Sequence, residues 1–222
     1  MGCQSQVIPY GQRQQKAINA KQLSGYLLYI PENYHADKPM PLIVFLHGAG
    51  ERGDNLEKLK VHGLPKIVKD KKDFPFVVVS PQTPERTWTV NFIDDLNAIV
   101  DEVIDNYDID TDRIYLTGLS MGGFGTWAWA AQNPERFAAI APICGGSTSA
   151  EIAKNITVPI WAFHGQKDSV VPVKKTIELV AVAKKHNSDV KMTIYPELNH
   201  DSWTVTYDNP ELYEWFLKFK RD

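Results

Sequence analysis

Gly118-Leu-Ser120-Met-Gly122 is the segment of this 222-residue chain whose residue types and spacing speak most directly of chemistry. It follows a β-branched and aromatic run, Ile114-Tyr-Leu-Thr, and leads into residues 124–132, which have helical spacing. A serine at a sharp strand-to-helix turn adopts a strained backbone conformation, tolerable where the flanking residues are glycines without a Cβ. Its hydroxyl then projects, and the Met121 amide, at the positive end of the following helix, points at an oxygen bound beside Ser120. Taken alone, the pattern also fits a close-packed glycine turn or an anion site at a helix N-terminus. Partners elsewhere in the chain must decide.

A serine hydroxyl is a poor nucleophile until a base takes its proton, and the base needs an acid to fix its tautomer. An apolar run at 160–163 leads into His164-Gly-Gln-Lys-Asp168, and a second run at 191–195 leads into Pro-Glu-Leu-Asn-His200. Ser120, Asp168 and His200 thus each follow the end of a strand, which in a parallel sheet is a single rim where ligand sites form. Asp201 and Glu197 lie nearer to His200 in sequence. They share its short loop, however, and are poorly placed to reach the imidazole edge opposite Ser120, so Asp168 leads. His164 is expected to make a structural hydrogen bond, while His35, His62 and His186 sit in polar stretches without an evident partner.

Upstream, residues 42–46 run into His47-Gly-Ala-Gly-Glu-Arg-Gly53. The Ala49 amide is the expected second oxyanion donor beside that of Met121, with His47 holding the loop and Glu51 pairing with Arg52. The loop lacks both the Gly-Lys-Ser/Thr ending of a P-loop and the Gly-x-Gly-x-x-Gly spacing of dinucleotide binders.

These residues need a scaffold that brings strand ends together. Short β-branched and aromatic runs at 25–30, 42–46, 76–80, 114–117, 138–143, 160–163 and 191–195 alternate with helical patterns such as Ile93, Leu96, Val100, Val103, Ile104 and Tyr107. Further helical patterns are Val173, Ile177, Val180 and Ala181, and Leu212, Trp215, Phe216 and Phe219. The alternation predicts an α/β fold, a mostly parallel central sheet covered by helices on both faces. Residues 21–222 read as one catalytic domain with little or no lid. Residues 1–20, rich in Gln and without apolar period, read as a flexible N-terminal arm.

Composition narrows the function. With 24 Lys and Arg against 27 Asp and Glu, the net charge is −3 and no basic cluster could neutralise a run of phosphates, so nucleic acid is not an expected partner. No apolar run approaches the roughly 18 residues of a transmembrane segment. Two distant cysteines, Cys3 and Cys144, make neither a disulfide framework nor a metal-ligand spacing. Met1-Gly-Cys3-Gln-Ser is similar to the processed start of a bacterial lipoprotein, which would make this a secreted or envelope protein anchored through Cys3; an accidental cysteine in a disordered tail is the equal alternative.

Together, His47-Gly-Ala-Gly-Glu-Arg-Gly53, Gly118-Leu-Ser-Met-Gly-Gly123, His164-Gly-Gln-Lys-Asp168 with Val171-Pro172, and Asn199-His-Asp-Ser-Trp203 resemble the α/β-hydrolase superfamily. Within it they resemble small serine carboxylesterases of the feruloyl-esterase-like and phospholipase/carboxylesterase kind, over residues 24–219. The resemblance implies a Ser120/His200/Asp168 triad, an oxyanion hole from the Ala49 and Met121 amides, and neither metal nor organic cofactor. Dienelactone hydrolases share the fold but usually carry a cysteine where this chain has Ser120. Prolyl-oligopeptidase-like peptidases share the motifs but add a propeller domain that 222 residues cannot hold.

The expected substrate is a small-molecule or polysaccharide-linked ester. Trp88 and Trp203 follow strand ends on the same rim and could stack an aromatic acyl group or a sugar ring, although tryptophans are more often core. A feruloyl-type, acetyl or short-chain ester leads. An acyl thioesterase, a small serine peptidase and a non-catalytic binding protein of the same fold are the alternatives.

Overall fold

The computed structural model describes residues 10–35, 37–84, 88 and 92–221. The sheet has eight strands, β1 (Gly11–Lys16), β2 (Gly25–Ile30), β3 (Met40–Leu46), β4 (Val77–Pro81), β5 (Ile109–Leu119), β6 (Ala139–Ile143), β7 (Ile160–Gly165) and β8 (Val190–Tyr195). They lie in the order β1-β2-β4-β3-β5-β6-β7-β8. Strands β3 to β8 are parallel, whereas β1 pairs antiparallel with β2 and β2 with β4.

Among the described residues, six helices cover the sheet: α1 (Gly63–Val68), α2 (Ile93–Asn106), α3 (Met121–Gln132), α4 (Lys174–Ala183), α5 (Trp203–Asp208) and α6 (Pro210–Phe216). Strand alternation sorts their partners. Leu42, Val44 and Leu46 of β3 join one apolar layer with Leu96, Ile99 and Val103 of α2, Trp127 and Trp129 of α3, and Leu179 and Val180 of α4. Ile43 and Phe45 point the other way, into a layer with Leu64 and Val68 of α1, Tyr207 of α5, and Leu212 and Phe216 of α6. Strands buried on both faces carry apolar runs without alternation, as β2, β6 and β7 do, while the edge strand β1 is Gln-, Arg- and Lys-bearing and half exposed.

The expected parallel α/β sheet is therefore present, but two details differ from the sequence-based expectation. Residues 11–16, placed within the flexible arm, are the edge strand β1. The segment between β1 and β2 is held by two carboxylates of α2: Asp95 accepts from the amides of Lys21, Gln22 and Leu23, and Glu102 from the Ile18 amide and the Tyr26 hydroxyl. Docking by distant carboxylates leaves no apolar period to read. On α4 the buried residues are Thr176, Leu179, Val180 and Ala183, and Ile177 is 41% exposed. Cys3 lies outside the described residues. No helix among them is long and apolar enough to cross a membrane.

Candidate active site

Strand β5 ends at Leu119, and Ser120 takes φ 51° and ψ −115° before α3 begins at Met121. Such a conformation costs on the order of 1–3 kcal/mol, and the surroundings must hold it. The Ser120 amide donates to Ile143 O at the end of β6 (2.9 Å), and the Phe124 amide donates back to Ser120 O (3.1 Å). The glycines of the motif are a steric requirement: a Cβ on Gly122 would stand 1.9 Å from Leu46 O, and one on Gly118 would stand 2.5 Å from Gly122 O.

His200, in the loop after β8, brings Nε2 to 2.8 Å from Ser120 Oγ and Nδ1 to 2.7 Å from Asp168 Oδ2. Asp168 lies in the loop after β7. A carboxylate only accepts when ionised, so Nδ1 carries the proton and Nε2 is left free to accept from the serine hydroxyl. Burial alone would raise the Asp168 pKa, but His200 and the Val171 and Val170 amides outweigh it and hold the carboxyl below its usual range. The two loops are tied by Asn199, whose Oδ1 accepts from the amides of His200 (2.8 Å) and Ser169 (2.9 Å) and from the Ser169 hydroxyl (3.1 Å). Asp201 is otherwise engaged: its carboxylate accepts from the amide and hydroxyl of Thr204 at the start of α5. Glu197 pairs with Lys167 at the surface.

His164, at the end of β7, is fully buried and its Nε2 stands 3.1 Å from Asp168 Oδ2 and 2.9 Å from Val171 O. Its structural hydrogen bond thus goes to the same carboxylate oxygen that holds His200. The short separation of His164 and Asp168 along the chain was the available signal, but spacing alone does not show that the turn folds the two side chains together.

The loop after β3 forms a 3₁₀ turn, Ala49–Glu51. His47 is fully buried; Nδ1 faces Gly48 O (2.6 Å) and Nε2 accepts from the Thr83 amide (3.1 Å), so the ring is neutral with its proton on Nδ1. Burial pushes its pKa down to about 4. Glu51 and Arg52 each hold this loop by separate bonds: Glu51 Oε2 accepts from the Gly48 amide (2.9 Å), and Arg52 Nε donates to Ala49 O (2.7 Å). Glu51 is only 6% exposed and clamps the backbone from inside, whereas the Arg52 bond lies at the surface.

Ala49, Met121 and Trp88 line a mainly apolar cavity of about 540 Å³ with Ser120, Phe124 and Ala128. Trp88 is 4% exposed and locked, its Nε1 donating to His47 O (3.0 Å) and its ring meeting those of His47 and Phe92 edge-on. A second, polar groove of about 540 Å³ shares Ala49 and Arg52 with the first and adds Gly53, Asp54, Lys58 and Pro84. Trp203 lines neither of them. It stands edge-on to the His200 ring (5.2 Å between centroids) and to His62 (5.6 Å), beside a cleft of about 30 Å³. His62 thereby gains a partner that its polar surroundings in sequence did not suggest.

Cys144 follows β6 with φ 39°, is fully buried, and brings its sulfur within 4.8 Å of a carboxylate oxygen of Asp168 and a ring nitrogen of His200. Those two residues already hydrogen-bond to each other, and burial pushes the thiol up to about 12, so it is protonated at neutral pH.

A serine in hydrogen-bond contact with an imidazole that a buried carboxylate orients, on the strand-end rim of a parallel sheet, defines the α/β-hydrolase class. More narrowly, the chain belongs to the Dienelactone hydrolase family, whose sequence model matches residues 10–210. It does so with Ser120 at the elbow, where cysteine is usual in the enzymes that name the family. Among curated relatives, it is 31% identical over 147 residues to the bifunctional acetylxylan esterase/xylanase XynS20E of Neocallimastix patriciarum, covering 65% of this chain and 21% of that one. It is 28% identical over 203 residues to the probable feruloyl esterase C of Aspergillus niger, covering 86% and 73%. The chain spans 56% of another such relative, the probable feruloyl esterase C of Aspergillus flavus. A solved structure described as a thermostable esterase superposes with a TM-score of 0.75 at 34% identity, over 89% of this chain and 59% of that one. An acylaminoacyl peptidase of Pyrococcus horikoshii, at 17% identity and a TM-score of 0.72, shares the fold over 97% of this chain and 42% of that one.

Proposed function

We propose that this protein is a serine carboxylesterase that works through an acyl-enzyme on Ser120. The contact that carries the reading is the chain Ser120 Oγ, His200 Nε2, His200 Nδ1, Asp168 Oδ2, with links of 2.8 and 2.7 Å, opening on an apolar cavity. His200 takes the Ser120 proton as the hydroxyl attacks the ester carbonyl, then gives it to the departing alcohol. Water attacks the acyl-enzyme by the same route in reverse. The Ala49 and Met121 amides are the donors for the oxyanion formed in each half.

The division of the cleft supports a substrate class. An aromatic or acetyl acyl group suits the apolar cavity under Trp88, and a sugar or other polar alcohol suits the groove of Asp54 and Lys58 across Ala49. Esters of the feruloyl or acetyl type, free or attached to polysaccharide, fit both halves. The names borne by the relatives, feruloyl esterase and acetylxylan esterase, favour the same choice.

The test is a panel of p-nitrophenyl acetate, methyl ferulate, an acyl thioester and a peptide anilide, run on the parent and on Ser120→Ala. Oxygen esters are expected to lead, and the variant is expected to lose kcat by on the order of 10⁶. Labelling by a serine-directed phosphonate should disappear with it. A variant retaining a tenth of parental activity removes Ser120 from the mechanism, and preference for the thioester or anilide moves the substrate class.

A further inference from the structure

Asp168 Oδ2 faces two imidazoles. His200 Nδ1 donates to it at 2.7 Å, and His164 Nε2 stands at 3.1 Å. The proton positions on His164 are set by its partners. Nε2 has two oxygens before it, an ionised carboxylate and the Val171 carbonyl at 2.9 Å, and neither can donate. Nε2 therefore carries a proton shared between them. Nδ1 lies 2.8 Å from the Thr176 hydroxyl of α4, which donates to it when the ring is neutral. The same hydroxyl is 3.2 Å from Gly145 O, so a doubly protonated ring would also find partners, but the residue is wholly buried and burial disfavours the cation.

We propose that His164 is a positioning residue for catalysis, acting through Asp168: its Nε2–H draws charge from the carboxylate oxygen that holds His200 and so keeps His200 neutral, and able to act as base, to lower pH. This rests on the esterase reading above. A carboxylate oxygen that shares its charge with a second donor binds an imidazolium less tightly than one whose charge falls on His200 alone. His164 touches neither Ser120 nor the cavity, so it has no direct part in binding or bond formation. The other groups around the pair are the Val170 and Val171 amides on Oδ1, the Ser120 hydroxyl on His200 Nε2, the protonated Cys144 thiol at the end of β6, Asp201 on the His200 loop, and the edge of Trp203, with His62 beyond it. Among the described residues, His164 is the neutral side-chain donor to Oδ2 from outside the reacting chain.

The experiment compares pH profiles of kcat/KM for p-nitrophenyl acetate in the full chain and in His164→Phe and His164→Gln. Phenylalanine fills the site without a donor, whereas the glutamine amide restores one at the place of Nε2. In His164→Phe the acid limb is expected to move up by about one pH unit, while activity on the alkaline plateau stays within a few-fold and KM is little changed. His164→Gln should return the limb to that of the parent. An unshifted limb in His164→Phe, or a loss equal at every pH, overturns the proposal. Should His164→Phe not fold, ¹⁵N NMR of the parent decides: a neutral ring protonated on Nε2 through the acid limb is required, and an Nδ1–H tautomer or an imidazolium refutes it. That measurement needs no turnover, so it stands apart from failure of the esterase reading, which would show as an inactive parent.

Discussion

Acid should loosen the loop that carries Ala49, and the group responsible should be His47. Its Nε2 accepts from the Thr83 amide, so a proton added there would face an N–H in a fully buried place. In the unfolded chain the ring titrates near 6.5, while in the folded protein it is pushed down to about 4. The unfolded state thus takes up the proton first, and the contribution of His47 to stability is whole above about pH 7 and lost as pH falls between these values. By linkage the loss reaches about 2 kcal/mol at pH 5 and about 3 kcal/mol below pH 4. Carboxylates and His164 titrate as well, so the informative quantity is a difference. His47→Gln offers an uncharged side chain whose Oε1 can still accept from Thr83. Urea unfolding at pH 8 and pH 5 should show the parent losing about 2 kcal/mol more than the variant over that interval, with unchanged m-values. Parallel losses in the two proteins would refute the argument, because they would mean that the buried ring takes up its proton in the folded state as readily as in the unfolded.

The site's geometry leads to two more expected outcomes. Replacing Trp88 by Leu should raise KM for methyl ferulate more than for p-nitrophenyl acetate, by about fivefold if one ring contact is lost, whereas Trp203→Leu should lower kcat for both alike, since that ring packs on His200 and lines neither half of the cleft; steady-state kinetics on the two esters separate these cases. The Cys144 thiol, buried and pushed up to about 12, should resist iodoacetamide at pH 8 in the native protein and react once urea exposes it, and mass spectrometry of the peptide carrying residue 144 reads both states.

Ser120, its glycines and the strand before it are legible in the sequence because the turn is local: the backbone strain and the close approach of Leu46 O impose residue types on a handful of neighbouring positions. The parallel sheet is legible for a similar reason, since strands buried on both faces must be apolar at every residue, and the parallel strands β3, β6 and β7 are largely so. The order of Ser120, Asp168 and His200 along the chain, each after a strand, places them on one rim without any measured distance. Other features depend on groups that only folding brings together. Asp168 leads over Asp201 in the sequence because Asp201 shares the short loop of His200, but the partner of each is set by the fold: the Asp201 carboxylate is turned to Thr204, while Asp168 reaches His200 across two loops that Asn199 ties. The edge strand β1 has no apolar pattern, and the segment after it is held by Asp95 and Glu102, far along the chain. Trp88 and Trp203 look alike in a strand-end reading, yet packing puts one in the cavity wall and the other against the His200 ring. Sequence determines what a residue can do by its type and its near neighbours; which hydrogen-bond partner and which side of the cleft it meets is decided by contacts across the sheet, where spacing along the chain carries no information.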